Sequence, residues 1–429
     1  MLTDWKTFKL IELYDISSGL SKSADEFGFG FPFLSFSTVF KNYFIPEELH
    51  QLVNSSKKEQ TTCSIHKGDV FLTRTSEVIE ELGMSCVALK DYPNATFNGF
   101  TKRLRPKNSK EVEPLFIGYY LRNIQFRAEI SAYSTLTTRA SLNNGIIEKL
   151  KITLPPLAIQ QKIASILSSY DELIENNKQR IKLLEEMAEE IYKEWFVRLR
   201  FPGYETTKII DGLPKGWEKK PIEGLVNIIS GYAFKTESFD SEGIYKLVTI
   251  KNVQDGFFVT QTTDYIYELP KNLKDDCKLK DKDIILSLTG NIGRICMVYG
   301  ENYLLNQRVA KLKPIQENYF EFVYLMFRSS FLRTTLENLS NGAAQQNLSP
   351  IEMGKLEFHF PSTEVINKFS EVTKSFFDEI ITLNKKNQLL QETRDLLLPR
   401  LISGRLNVEH LIEEELGMVA EPREEYIKN

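Results

Sequence analysis

Two long stretches of the chain carry apolar residues at three- and four-residue steps. From 158 to about 199 they fall at Ile163, Ile166, Leu167, Tyr170, Leu173, Ile174, Ile181, Leu184, Met187, Ile191 and Trp195, before the stop Phe201-Pro202-Gly203. The second stripe runs Phe369, Val372, Phe376, Ile380, Leu383, Leu390 and Leu397, before Pro399. This spacing predicts two amphipathic helices, each with one face to bury. Each stripe contains an asparagine, Asn177 and Asn387. Inside a helical seam such a residue fixes register at some cost in stability; at its edge it does nothing. Both readings stand at this point. Elsewhere the pattern shortens. Aliphatic and β-branched runs bounded by Gly, Asn or Asp predict strands at 69–73, 85–90, 247–251, 284–288 and 295–299. Helical spacing returns at 113–132 and 317–338. The mixture, without regular strand–helix alternation, predicts an α+β fold.

The pattern occurs twice. LPPLAIQQKIASIL (154–167) overlays FPSTEVINKFSEVT (360–373), with Pro155 on Pro361 and Lys162 on Lys368. KGDVFLTRTS (67–76) matches DKDIILSLTG (281–290), and NGFTKRLRP (98–106) matches NQRVAKLKP (306–314). Ser18-Gly19 matches Ser230-Gly231, and Trp5 matches Trp217, both tryptophans being expected in the core. The copies are too large for solenoid units and read as two related domains, each followed by a helix. A helix of roughly 40 residues is on the order of 60 Å long and marginal alone. The second helix is its expected partner, in an antiparallel pair that would hold the domains at opposite ends of a rod.

Composition narrows the class. The chain has 429 residues, 42% hydrophobic and 26% charged, which suits two or three globular domains. No apolar run is long enough for a membrane span, and MLTDWKTFKL is not expected to be a secretory leader. Four separated cysteines and four scattered histidines predict neither a disulfide framework nor a structural zinc site, and point to a reduced, cytoplasmic setting. The net charge of −4 looks unsuited to nucleic acid, but the tail 409–429 holds seven acids against two bases, which leaves the rest at +1.

Catalytic motifs do not assemble. EFGFGF (26–31) lacks the glycine spacing of a nucleotide cradle and reads as a surface loop. Pro155-Pro156 opens a helix and follows Leu154, rather than the Asn or Asp of an adenine-methyltransferase loop. Asp69 with Glu77, Glu80 and Glu81 lacks the lysine-bearing spacing of a nuclease. No cofactor and no metal is expected.

Four blocks, LPPLAIQQKIASILSSYDELIENNKQRIKLLEE (154–186), YKEWFVRLRFPG (192–203), LPKGWE (213–218) and LLLPRLISGRL (396–406), come in the order found in the DNA specificity subunits of type I restriction-modification systems. The chain resembles that family over nearly its whole length. The resemblance implies an α+β fold with two repeated target-recognition domains separated by two long α-helices forming an antiparallel coiled coil. The corresponding boundaries are 1–157 and 204–361 for the recognition domains, 158–203 and 362–406 for the spacer helices, and 407–429 for an acidic tail. It also implies a non-catalytic subunit. Each domain would read half of a bipartite asymmetric site in double-stranded DNA. The helices would set the gap and bind two methyltransferase subunits, joined by endonuclease/translocase subunits. A related system with a fused methyltransferase–nuclease partner fits the sequence almost as well. A plain coiled-coil scaffold and a self-contained enzyme are the readings from other classes.

The matched loops supply candidate DNA contacts, because Arg pairs with guanine, and Asn or Gln with adenine, through paired hydrogen bonds. After the matched strand lie Arg74, Thr75 and Ser76 in copy one and Thr289 and Asn291 in copy two. A second place is Asn98, Lys102 and Arg103 against Asn306, Gln307 and Arg308, with Lys311 beyond them. A third is Thr138 and Arg139 in TLTTRASLN against Gln345, Gln346 and Asn347 in GAAQQNLS. A fourth follows Ser-Gly: Lys22 in copy one, Lys235 in copy two behind Tyr232 and Phe234, which read as loop anchors more readily than as base-stacking groups. Lys251 and Asn252 complete the set.

Overall fold

The computed structural model describes residues 5–76, 81–133, 140–340 and 347–408. The chain divides into two compact units: 1–173 with 390–429, and 174–389. Each is built on the same four-stranded antiparallel sheet. In the first unit the order is Tyr14–Ser18, Thr101–Pro106, Val70–Thr73, Ser85–Val87. In the second it is Val226–Ser230, Val309–Pro314, Ile284–Ser287, Ile295–Met297. The strands are shorter than their apolar runs, and their side chains are buried almost throughout the two central positions of each sheet. A second, smaller sheet in each unit contains one parallel pair, Phe33–Leu34 beside Thr96–Phe97 and Lys246–Val248 beside Tyr303–Leu305.

The duplicated junction has a structural reason. Lys151–Leu154 pairs antiparallel with Lys6–Lys9 at the start of its own unit, and Glu357–Phe360 pairs with Glu218–Pro221. The chain thus closes each domain by returning beside its first strand. It then enters a long helix behind the proline, where a missing N–H is harmless. Trp217 is buried with Phe201 and Val365, while Trp5 is only half-buried.

Those helices span Leu157–Tyr192, followed by a π-helical turn at Lys193–Val197, and Thr363–Ile402. The second continues through Pro399 rather than stopping before it. Leu398, Leu401 and Ile402 are buried in the first unit's core, and that packing carries the last turn past the lost hydrogen bond. The expected stripes hold at Ile163, Leu167, Ile174, Phe369, Ile380 and Leu383, all buried, and give way at three positions. Leu173, Met187 and Val372 are exposed, while Ala188, Tyr192, Thr373 and Phe377 are buried instead. Within the second unit the two helix segments run antiparallel, with Asn177 facing Asn387 and Arg180 paired to Glu379 at 2.8 Å. Asn177 and Asn387 are 9% and 6% exposed, and the Asn177 amide donates to the Asn387 Oδ1 at 2.9 Å. The seam reading of both asparagines therefore holds.

The expected helices 113–132 and 317–338 are each two helices, Pro114–Arg122 with Ile124–Tyr133 and Phe320–Arg328 with Ser330–Ser340. Asn123 and Ser329 break them. Each takes an extended backbone, and its side-chain oxygen accepts from an N–H of the following turn, as an N-cap does. The EFGFGF segment belongs to a strand, Phe27–Leu34, rather than a loop. Pairing of Phe27, Phe31 and Pro32 with Leu52–Val53 holds it, with a bulge between, and Gly28 and Gly30 adopt φ of 95° and 96° that few other residues tolerate.

Candidate nucleic-acid interface

Backbone hydrogen bonds gather the candidate loops at one end of the central sheet in each unit. In the first, the Leu20 N–H donates to the Phe97 carbonyl at 2.8 Å and the Gly99 N–H to the Leu20 carbonyl at 2.7 Å. The Arg74 N–H then donates to the Phe100 carbonyl at 2.8 Å, and the Leu142 N–H to the Arg74 carbonyl at 2.7 Å. The second unit repeats every step. Tyr232 donates to Leu305 at 2.9 Å, Gln307 to Tyr232 at 3.0 Å, Leu288 to Arg308 at 2.9 Å and Leu348 to Leu288 at 2.8 Å. Segments far apart in sequence thus form one strip. Gly19 and Gly231 make the closure possible, because a Cβ at either would collide with the carbonyl of Asn98 or Asn306.

Along the strip, Arg74, Gln307, Arg308, Asn291 and Asn347 are exposed, and Thr75, Ser76 and Thr289 are half-buried. Thr75 and Ser76 pair with Ser141 and Ala140, and Thr289 bridges to Asn347, so the first and third candidate places meet in both units. Ser76 donates to Glu81 at 3.0 Å. Lys235 and Lys251 are exposed beyond the strip, and Phe234 is buried behind Lys235 as an anchor. Tyr232 is half-buried, its hydroxyl on Asn272 at 2.8 Å. Thr138, Arg139, Gln345 and Gln346 lie outside the described residues.

Other candidates are framework groups. Arg103 is buried and donates to the Thr62 and Ser64 carbonyls at 3.3 and 2.6 Å. Asn252 donates to the Val259 and Gln261 carbonyls, both at 2.9 Å, and accepts from the Thr249 N–H. Lys311 pairs with Asp283 at 2.7 Å. Lys22 is held by Glu26 and Glu59, each at 3.0 Å, and these carboxylates raise its pKa. Lys102 is buried on the Ser18 hydroxyl at 3.0 Å, and burial, with Arg74 nearby, lowers its pKa. Asn98 and Asn306 turn their Oδ1 atoms onto the N–H groups of Phe100 and Gln307, as turn residues do. Sequence spacing assigned these side chains to the interface because strand-end polar residues look alike whether they face in or out.

The sequence reading passed over Phe100, which is 61% exposed in the middle of the strip. Its setting in the polar run NGFTKR was the available signal. Asp69, considered above as part of a carboxylate cluster, is fully buried against Arg105 at 2.6 Å. Among the described residues no cluster of His, Cys, Asp or Glu could hold a metal ion, and no helix is long and apolar enough to cross a membrane.

Two units of one topology, each presenting polar loops along an equivalent sheet end, define a tandem recognition protein. Residues 3–186 and 214–391 match the type I restriction modification DNA specificity domain, and the chain belongs to that family, the DNA-recognition, non-catalytic component of such systems. It is 26% identical over 426 residues to the type I restriction enzyme MjaIX specificity subunit of Methanocaldococcus jannaschii, covering 95% of each chain. It is 25% identical over 472 residues to the HindI specificity subunit of Haemophilus influenzae, covering 94% of this chain and all of the relative. In fold it is similar to the crystal structure of a type I system S subunit from M. genitalium, with a TM-score of 0.57 and 15% identity over 93% of this chain and 96% of that one.

Proposed function

We propose that each unit reads one half of a bipartite, asymmetric site in double-stranded DNA, and that the helices set the gap between halves and dock two methyltransferase subunits. Endonuclease/translocase subunits join that assembly, which works in the cytoplasm. The observation that carries this reading is the repeated strip. The same backbone ladder presents different side chains in the two units, which is what reading two different half-sites requires. Exposed Arg and Lys groups supply phosphate affinity, while the loop side chains discriminate base edges. The contact set that exposure supports is Arg74, Lys235, Lys251, Asn291, Gln307, Arg308 and Asn347, with the half-buried Thr75, Ser76 and Thr289 beside them. Single-molecule sequencing of DNA from a host expressing the chain with its methyltransferase partner tests this. A new two-part adenine-methylated motif is expected. No change in methylation, with the partner active, overturns it.

A further inference from the structure

The two strips share their hydrogen-bond ladder and exchange their chemistry. Position 74, at the end of a core strand, is an exposed arginine in the first unit; its equivalent, Leu288, is 6% exposed. Position 100, in the loop before the neighbouring strand, is an exposed phenylalanine; its equivalent is the exposed arginine Arg308. The hydrogen bonds that define these equivalences, Arg74 to Phe100 and Leu288 to Arg308, differ by only 0.1 Å (2.8 against 2.9 Å). Each unit therefore carries one arginine and one apolar residue at the same two ladder positions, in opposite order.

Two further observations separate these residues from ordinary surface. Phe100 is exposed, between Gly99 and a row of polar groups, and is not among the residues of the unit's hydrophobic cores. Arg308 sits at φ 71°, a left-handed backbone that a long side chain adopts against its preference, whereas Phe100 is not among the residues with positive φ. Strain of this kind persists only where the surrounding structure holds the residue in place.

Building on the functional reading above, we infer that positions 100 and 308 are a specificity-determining pair, one in each unit. Phe100 makes an apolar contact with a thymine methyl in one half-site, and Arg308 pairs bidentately with a guanine in the other. Arg can hold both major-groove acceptors of guanine, whereas an aromatic face without donors selects the thymine methyl.

The test uses the full chain with its methyltransferase subunits, reading the methylated motif by single-molecule sequencing. Arg308→Gly suits the left-handed backbone and keeps the fold, so lost recognition cannot be put down to unfolding. It is expected to turn one guanine of one half-site into an unspecified base, with the other half unchanged. Phe100→Ala removes an exposed ring and is expected to relax one A·T pair in the opposite half. Thermal melting of both variants should stay at the parent value or, for Arg308→Gly, rise. A motif unchanged in both variants overturns the inference, as does a uniform fall in methylation with the motif intact, which marks a phosphate contact. Relaxation of both halves by one variant overturns it as well. If the parent chain yields no bipartite motif, the functional reading itself fails, separately from the assignment of these two residues.

Discussion

Replacing Asn387 by leucine isolates what the buried amide pair contributes. The Asn177 Nδ2 would lose its acceptor at 2.9 Å while remaining in a helix seam where it is 9% exposed. An orphaned buried donor of this kind costs about 1–3 kcal/mol, because water cannot replace the lost partner. Substituting both asparagines removes the orphan and adds apolar area, so the double variant should recover most of that loss. The interaction energy in the four-member cycle should then be favourable to the pair by roughly 1–2 kcal/mol. Urea unfolding followed by circular dichroism measures it, with the first unit's transition as an internal reference, since both asparagines belong to the second unit. The double variant should also tolerate a shifted helix register, visible as broadened amide signals or a second species on sizing, because the polar pair no longer penalises misalignment. Additive losses from the two single substitutions would refute the reasoning, since they would mean that neither side chain depends on the other.

Arg328 is held between Glu185 and Glu189, both at 3.1 Å, and burial raises the Glu185 pKa above the usual carboxylate range. Removing the cation by Arg328→Met should cost roughly 3 kcal/mol at neutral pH. Because a carboxyl with a raised folded pKa loses stability as pH rises through that range, the loss should shrink on acidification as Glu185 takes up a proton; melting curves at pH 8 and pH 5 showing equal losses would contradict this. Gly231→Ala should unfold the second unit or lower its melting temperature far more than Gly28→Ala, since only the former meets a backbone carbonyl; equal melting shifts would count against the close-approach argument. Charges at Leu183 and Leu389, both exposed, should weaken co-elution with the methyltransferase and leave the melting temperature alone. An unchanged elution profile would remove the helix surface from the proposed docking face.

The periodicities determined a good deal by themselves. Two helices, two α+β modules and their order follow from stripes, strand runs and the repeated Leu/Phe-Pro junction, because those signals are local and set by backbone period. Which polar side chains stand exposed on the strip was legible only in part. Arg74, Gln307, Arg308 and Asn347 lie where the loops suggested, yet Arg103, Asn252 and Lys22 look identical in sequence and spend their polar atoms on carbonyls and carboxylates within their own unit. Met187 and Val372 yield their places in the stripes to Ala188 and Thr373, while Ile163, Leu167, Ile174, Phe369, Ile380 and Leu383 keep theirs, because the partner surface selects among neighbours once the stripe is broad. Asn123 and Ser329 split helices that periodicity joined, since a capping hydrogen bond competes locally with the helix. Phe100 went unread because an exposed aromatic carries no periodic mark. The sequence by itself determined that two long helices and two α+β modules form, and that the pattern occurs twice. Only the tertiary structure decided which loops lie side by side, which polar groups face inward, and that an arginine and an apolar residue exchange places on one ladder. Those outcomes depend on contacts between residues far apart along the chain, to which a local pattern is blind.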